Sequence, residues 1–385
     1  DMKITLSDLV KEKNIWEKNN LDPNVKYCVR GEDFDNCEIF FSRYGIAPDD
    51  MGPTFGKKFS PGDILYLTRN PQLRKVAIAD REGYCGEKVI VCTPKQYHGF
   101  ESRLLPYIFQ SESFAEHTLK NTIGSTNKHI RWKDVVSFKF NILDREKQNS
   151  ALVILDKFHE CYMHLNETIL SVRKLYQDVI DAEVGIYLAT TSAGKKNDWS
   201  SLSDSFLINP KIGSVDEIIP YVDMASLDVE LPYIDYKGET KSGKSSGMKF
   251  RKDDILLARI TPCFENGKAA FVDFLAEESI AVGSTEFIVM RSKFEDHFLK
   301  KLGYYIIKTK KFRHYALHHM EGTSGRQRVT VRVFDDIFIH NKLFTDSDIL
   351  VKKLESLEKI LKVLRDKKEH YFNLRQALIY ELLGV

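Results

Sequence analysis

The chain has 385 residues, 43% hydrophobic and 29% charged, with a formal net charge of +2. This is the composition of a soluble globular protein of two or more domains, and it contains no run of about 18 apolar residues that would cross a membrane. With so small a cationic excess, a nucleic-acid binder of this kind has to concentrate its basic residues locally.

The N-terminus, "DMKITLSDLV", has no basic-then-apolar leader pattern, so a cytoplasmic location is expected. The six cysteines form no CxxC pair, which fits reduced thiols better than a zinc or disulfide framework. A first globular unit is expected over 1–146. It contains "GDILYLTRNPQLRKVAIA" (62–79) and "GSTNKHIRWK" (124–133).

A long helix is expected over 147–183. From Ala151 the apolar positions run Leu155, Phe158, Tyr162, Leu165, Ile169, Val172, Tyr176 and Val179, in alternating steps of four and three. That alternation marks a coiled-coil seam. A second unit is expected over 184–345, with short strands in "DILLARI", "KAAFVDF" and "EFIVMRS" and helix in "DHFLKKLGYYIIKTKKFRHYALHHM". A second long helix is expected over 346–385, capped at Asp346 or Ser347 and closed by Gly384.

The second half loosely repeats the first. Asp63 matches Asp254 at an offset of 191, and Gly124 matches Gly322 at 198. Shifting the first seam by 199 gives Leu350, Leu354, Leu357, Leu361 and Leu364, then Lys368, Tyr371, Arg375 and Leu378. The same seam is therefore written twice, with charge at two places. Two such helices, each unable to hide its stripe alone, are expected to pair antiparallel. At about 1.5 Å per residue they make a rod of roughly 50 Å. The expected class is α+β: two mixed α/β units joined by two long antiparallel coiled-coil helices in a pseudo-two-fold repeat. Off-seam Ile154, Met163, Leu170, Phe372 and Ile379 give the helices a second apolar surface.

In order and combination, "FRKDDILLARI", "GKAAFV", "GSTEFIVMR", "GTSGRQRVTV" and the two helices resemble the specificity subunits of type I restriction-modification systems. The first unit matches less closely, through "FSPGDILYLTR", "RKVAIA" and "GSTNKHI". The resemblance implies two target recognition domains, each reading one half of a split double-stranded DNA site. The helices would act as ruler and docking surface for methyltransferase (modification) subunits, with motor nuclease (restriction) subunits completing a phage-defence complex. S-adenosylmethionine, ATP and magnesium would belong to those partners, leaving this chain without cofactor, metal or catalytic residue. A scaffold tethering two protein-binding domains is the alternative.

Two basic loops are candidate DNA contacts: Ser125, Thr126, Asn127, Lys128 and His129 in the first unit, and Thr323, Ser324, Arg326, Gln327 and Arg328 in the second. Arginine and glutamine suit base edges, while lysine and backbone amides suit phosphate. Arg69 with Asn70, and Arg259, follow the two Asp-Ile-Leu runs. Arg74, Lys75 and Lys268 are further candidates. "GETKSGKS" (238–245) formally fits a phosphate loop, but no helical pattern follows it, so Lys241 and Lys244 are expected in an ordinary loop that could meet DNA phosphates. His314 and His318 stand at metal-binding spacing, yet without HExxH a basic helix surface is the better reading. No amino-methyltransferase or nuclease motif is present.

Overall fold

The protein is described by a computed structural model covering residues 2–17, 21–124, 128–190, 198–213, 215–323, 325–345 and 347–385. It is a mixed α/β fold in two compact units. Unit 1 comprises 1–168 and 364–385; unit 2 comprises 169–363.

Each unit holds two four-stranded sheets. In unit 1 the first, in spatial order, is Val10–Glu12, Val89–Pro94, Ile64–Leu67 and Val76–Ile78, all antiparallel. The second is Gly45–Ile46, Tyr27–Val29, Gly83–Gly86 and Phe55–Phe59, with its inner pair parallel. Unit 2 repeats this plan. Phe206–Ile208, Phe287–Ser292, Ile255–Ala258 and Ala269–Phe271 form the antiparallel sheet. Thr240–Ser242, Ile218–Val222, Ile280–Gly283 and Met248–Arg251 form the mixed one. Buried side chains on successive strand positions, such as Ile64, Leu65 and Tyr66 or Ile255, Leu256 and Leu257, explain why these runs read as continuous apolar stretches.

The repeated aspartate is structural. Asp63 ends a turn, accepting the Ser60 N–H at 2.8 Å, Thr93 Oγ1 at 2.7 Å and Lys13 Nζ at 2.7 Å. Asp254 accepts the Arg251 N–H at 2.7 Å and both Nε and Nη2 of Arg291 at 2.7 Å. Both are buried, so each carboxylate needs its cation. The third turn residue is left-handed in both, Gly62 at φ 85° and Asp253 at φ 65°. Glycine takes that conformation without penalty; Asp253 is held by Lys300 at 3.2 Å.

The sequence predicts one helix after Glu295, but two are present, His297–Lys308 and Lys310–His318. Thr309 breaks them: its backbone is extended, and its hydroxyl caps the second helix by accepting the Phe312 N–H at 3.2 Å. Ser111 does the same for Glu112–Lys120 through the Phe114 N–H at 3.2 Å. The offset of 198 between these caps is that of the glycine turns downstream.

The long helices run Arg145–Val179 and Ser347–Leu383. Gly384, at φ 69°, ends the second and donates its N–H to the Tyr380 carbonyl at 2.8 Å. Seam residues Leu155, Tyr162, Ile169, Leu354 and Leu361 are buried, and Phe158, Leu165, Val172, Leu357 and Leu364 are partly so. Within unit 1 the Phe158 and Tyr371 rings lie 4.5 Å apart, and Lys368 sits 5.4 Å from the Tyr162 ring. Arg375 is fully buried. It donates to Gln110 Oε1 and lies 5.3 Å from the Tyr107 ring, and desolvation pulls its pKa down. Within unit 2, Tyr176 meets Glu358. Of the off-seam positions, Ile379 is buried, whereas Ile154 and Leu170 remain exposed.

Candidate nucleic-acid interface

In unit 1 the end of strand Ile64–Leu67 and the basic loop form one edge. Thr68 donates its N–H to the Lys88 carbonyl at 2.9 Å, and Ile130 donates to Thr68 O at 3.3 Å. Arg69 bridges His129, and the Asn70 N–H reaches the Lys128 carbonyl at 3.3 Å. Ile123 and His129 exchange backbone hydrogen bonds of 2.9 and 3.0 Å, closing the loop after Gly124, which sits at φ 91°. Arg69, Asn70, Lys128 and His129 are thereby brought together. The first three are exposed. Ser125, Thr126 and Asn127 lie outside the described residues.

Unit 2 builds the same edge. Arg259 donates its N–H to the Glu286 carbonyl at 2.9 Å, and Val329 donates to Arg259 O at 2.8 Å. Ile260 bridges Arg328, and Thr261 donates to the Gln327 carbonyl at 3.0 Å. Met320–Glu321 and Arg328–Val329 form a short antiparallel ladder around a turn with Gly322 at φ 121° and Gly325 at φ 79°. Thr323, Arg326 and Gln327 are exposed there, and Ser324 lies outside the described residues.

These hydrogen bonds keep the offset of 191 set by Asp63 and Asp254, which leaves the two arginines one place apart in the repeat. Thr68, not Arg69, is the counterpart of Arg259, and Ile260 is that of Arg69. Likewise Lys88 corresponds to Glu286, and His129 to Arg328. The arginines that look equivalent after Asp-Ile-Leu therefore point from opposite sides of the strand end, since adjacent strand residues alternate faces. Arg259 Nε is buried and finds no hydrogen-bond partner among the described residues.

Several candidates are engaged within the protein. Arg74 is buried, pairs with Glu112 and lies 5.4 Å from the Phe372 ring. Lys75 Nζ donates to Gly31 O at 2.8 Å, and Lys268 Nζ to Met224 O at 2.7 Å. Arg328 forms a two-pronged pair with Glu286, Nε to Oε2 at 2.9 Å and Nη2 to Oε1 at 2.7 Å. Hydrogen bonding from Arg328 holds the Glu286 carboxyl below its ordinary range. The fork geometry suits arginine and carboxylate. Sequence spacing does not disclose this partner, 42 residues upstream.

Lys241 lies on the strand Thr240–Ser242, 3.3 Å from the Tyr221 ring centroid, and Lys244 pairs with Asp216. Strand Met248–Arg251 follows, so the loop has no helix N-terminus to receive a phosphate. The His314 and His318 rings stand 4.2 Å apart, with His318 Nδ1 2.8 Å from the His314 carbonyl. No group of three or more His, Cys, Asp or Glu side chains is placed to hold a metal among the described residues. No helix among them is long and apolar enough to cross a membrane.

Unit 2 also holds an open cleft of about 500 Å³ that the basic-loop pattern does not reveal, lined by Arg173, Lys174, Lys308 and Arg313 among others. Lys308 donates to Val229 O at 2.8 Å and Gly267 O at 2.9 Å, and burial pulls its pKa down to about 7. The sequence signal is a lysine three residues after Tyr305 on the apolar stripe of a helix.

Comparison with known proteins bears on these edges. The family described as type I restriction modification DNA specificity domain matches residues 2–172. The type I restriction enzyme EcoAI specificity subunit of Escherichia coli is 28% identical over 194 residues, 49% of this chain and 32% of the relative. The EcoEI specificity subunit of Escherichia coli is 30% identical over 197 residues, again 49% and 32%. This chain thus matches about a third of the length of those curated relatives. A chain from a structure on complex assembly and conformational transition of the type I R-M system shares the fold. It has a TM-score of 0.56 and 11% identity, over 99% of this chain and 97% of that one.

Proposed function

We propose that the whole chain is the non-catalytic DNA-specificity subunit of a type I restriction-modification system, a reading supported by the match of residues 2–172 to the type I restriction modification DNA specificity domain. Each unit reads one half of a split, asymmetric site. The two long helices form an antiparallel coiled coil that sets the distance between the halves and docks methyltransferase subunits. Motor nuclease subunits complete the cytoplasmic complex, and S-adenosylmethionine, ATP and magnesium act on those partners.

The observation that carries this reading is the shared edge. One backbone arrangement, written twice, presents Arg69, Asn70 and Lys128 in one unit and Thr323, Arg326 and Gln327 in the other. A scaffold kept constant beneath varied polar side chains is what two readers of different DNA words require. Exposed cations supply the phosphate attraction, and arginine and glutamine can address guanine and adenine edges. Antiparallel pairing is supported inside unit 1, where the partner number falls from Tyr371 to Lys368 as the other rises from Phe158 to Tyr162.

Methylation mapping in cells carrying the intact system tests the reading. A split, asymmetric word is expected, and replacing Arg326 and Gln327 by alanine should relax one half of it only. Relaxation of both halves together, or a continuous palindrome, would overturn it.

A further inference from the structure

We propose that Glu286 determines what unit 2 reads, by locking Arg328 against the strand end so that recognition falls to Arg326 and Gln327. This rests on the DNA-reading role proposed above for the unit 2 edge.

Three segments meet at Glu286. Its carbonyl accepts the Arg259 N–H at 2.9 Å, and its carboxylate takes the Arg328 fork. Its own N–H donates to Ser284 Oγ at 3.1 Å, which fixes the turn that presents it. Arg328 Nη1 completes the lock with the Arg326 carbonyl at 3.3 Å, so all three guanidinium nitrogens are engaged. Arg328 and Glu286 side chains remain 40% and 25% exposed. An ion pair that open contributes little to stability, on the order of 0–1 kcal/mol. Its leverage is on local charge and geometry.

The corresponding places in unit 1 are Lys88 and His129, and Lys88 lies 3.5 Å from the carboxylate of its neighbour Glu87. The cation–carboxylate fork between the two places themselves belongs to unit 2. Beside DNA, the Glu286 carboxylate repels phosphate and keeps Arg328 from making a sequence-blind backbone contact.

The test compares Glu286→Gln, Glu286→Gln with Arg328→Ala, and Arg326→Ala with Gln327→Ala, each in the full chain with its cellular partners. Readouts are the methylated word in cells and the salt dependence of the purified complex on an unrelated duplex. With Glu286→Gln, Arg328 is released onto phosphate. Unrelated-duplex binding should rise several-fold, its log–log salt slope should steepen by about one, and only the half read by unit 2 should become degenerate. Adding Arg328→Ala should return the slope to its parental value. If Glu286→Gln leaves word and slope unchanged while the Arg326/Gln327 variant degrades that half, the hairpin reads but Glu286 does not govern it, and the inference falls alone. If the Arg326/Gln327 variant also leaves the word intact, the assignment of this edge fails and the inference with it. Loss of both halves with a lowered unfolding midpoint would mean a purely structural role, and would also overturn the inference.

Discussion

Tyr176 donates its hydroxyl to the Glu358 carboxylate at 2.9 Å within unit 2. The Tyr305 hydroxyl reaches the same oxygen at 2.7 Å, and Lys301 Nζ the other at 3.0 Å. Burial pushes the Glu358 carboxyl up, against the pull of Lys301. Replacing Glu358 by alanine leaves Lys301 paired with Glu355 alone, at 2.9 Å, and strands two buried hydroxyls, and should cost about 2–4 kcal/mol. Glu358→Gln, which keeps acceptors for the hydroxyls, should cost less. Denaturant unfolding of the full chain measures both; equal, negligible losses would mean that the cluster contributes nothing to unit 2.

Lys308 should make stability depend on pH. Its folded pKa is pulled down to about 7, whereas an unfolded lysine titrates near 10.5. Between those values the unfolded chain binds the additional proton, so this residue's contribution to stability increases as pH rises from about 7 to 10, by at most ~1.4 kcal/mol per unit. Below about 7 the folded state is protonated too, and the dependence ends. Lys308→Met should flatten that part of the profile while lowering stability at neutral pH, because the Val229 and Gly267 carbonyls lose their donor. An unchanged slope in the variant would contradict the assignment.

Asp254 should matter to folding and not to reading. Its carboxylate is fully buried and holds Arg291 and the Arg251 N–H. Asp254→Ala should cost about 3 kcal/mol, measured by chemical unfolding. Complexes that still assemble should methylate the parental word, since no exposed loop residue is touched. A changed word would place this aspartate among the readers.

The helices should set the spacer. Inserting one matched heptad into each preserves the four-three seam and adds roughly 10 Å of helix. At about 3.4 Å per base pair, the spacer should grow by at most about three pairs, or one or two if the duplex bends. The half-site words should remain. Methylation mapping reads the result, and an active variant with unchanged spacing would refute the ruler.

The repeat and the seams were legible because apolar periodicity survives sequence drift. Leu155, Tyr162, Leu354 and Leu361 are all buried where that periodicity puts them. The register at the strand end was legible by strict counting: Arg69 stands six residues after Asp63 and Arg259 five after Asp254, and the backbone hydrogen bonds keep them one place apart. Long-range partners were hidden. Glu112 for Arg74, Gly31 O for Lys75 and Met224 O for Lys268 lie 38 to 44 residues away. A basic residue read from a string of letters looks exposed until its partner is known. The division of the helical stretch at Thr309 escaped notice because a hydroxyl cap leaves little trace in an otherwise periodic run.

The two edges share a backbone but carry different side chains at equivalent places, Lys88 and His129 in one, Glu286 and Arg328 in the other. On the proposed reading this has a directional meaning. Two identical readers would accept a word and its reversal alike, and the bound site would have no head or tail. Unlike readers cannot trade places, so turning the protein end for end on the duplex gives a different and poorer fit. A chain seated on its site would therefore carry a heading along the DNA.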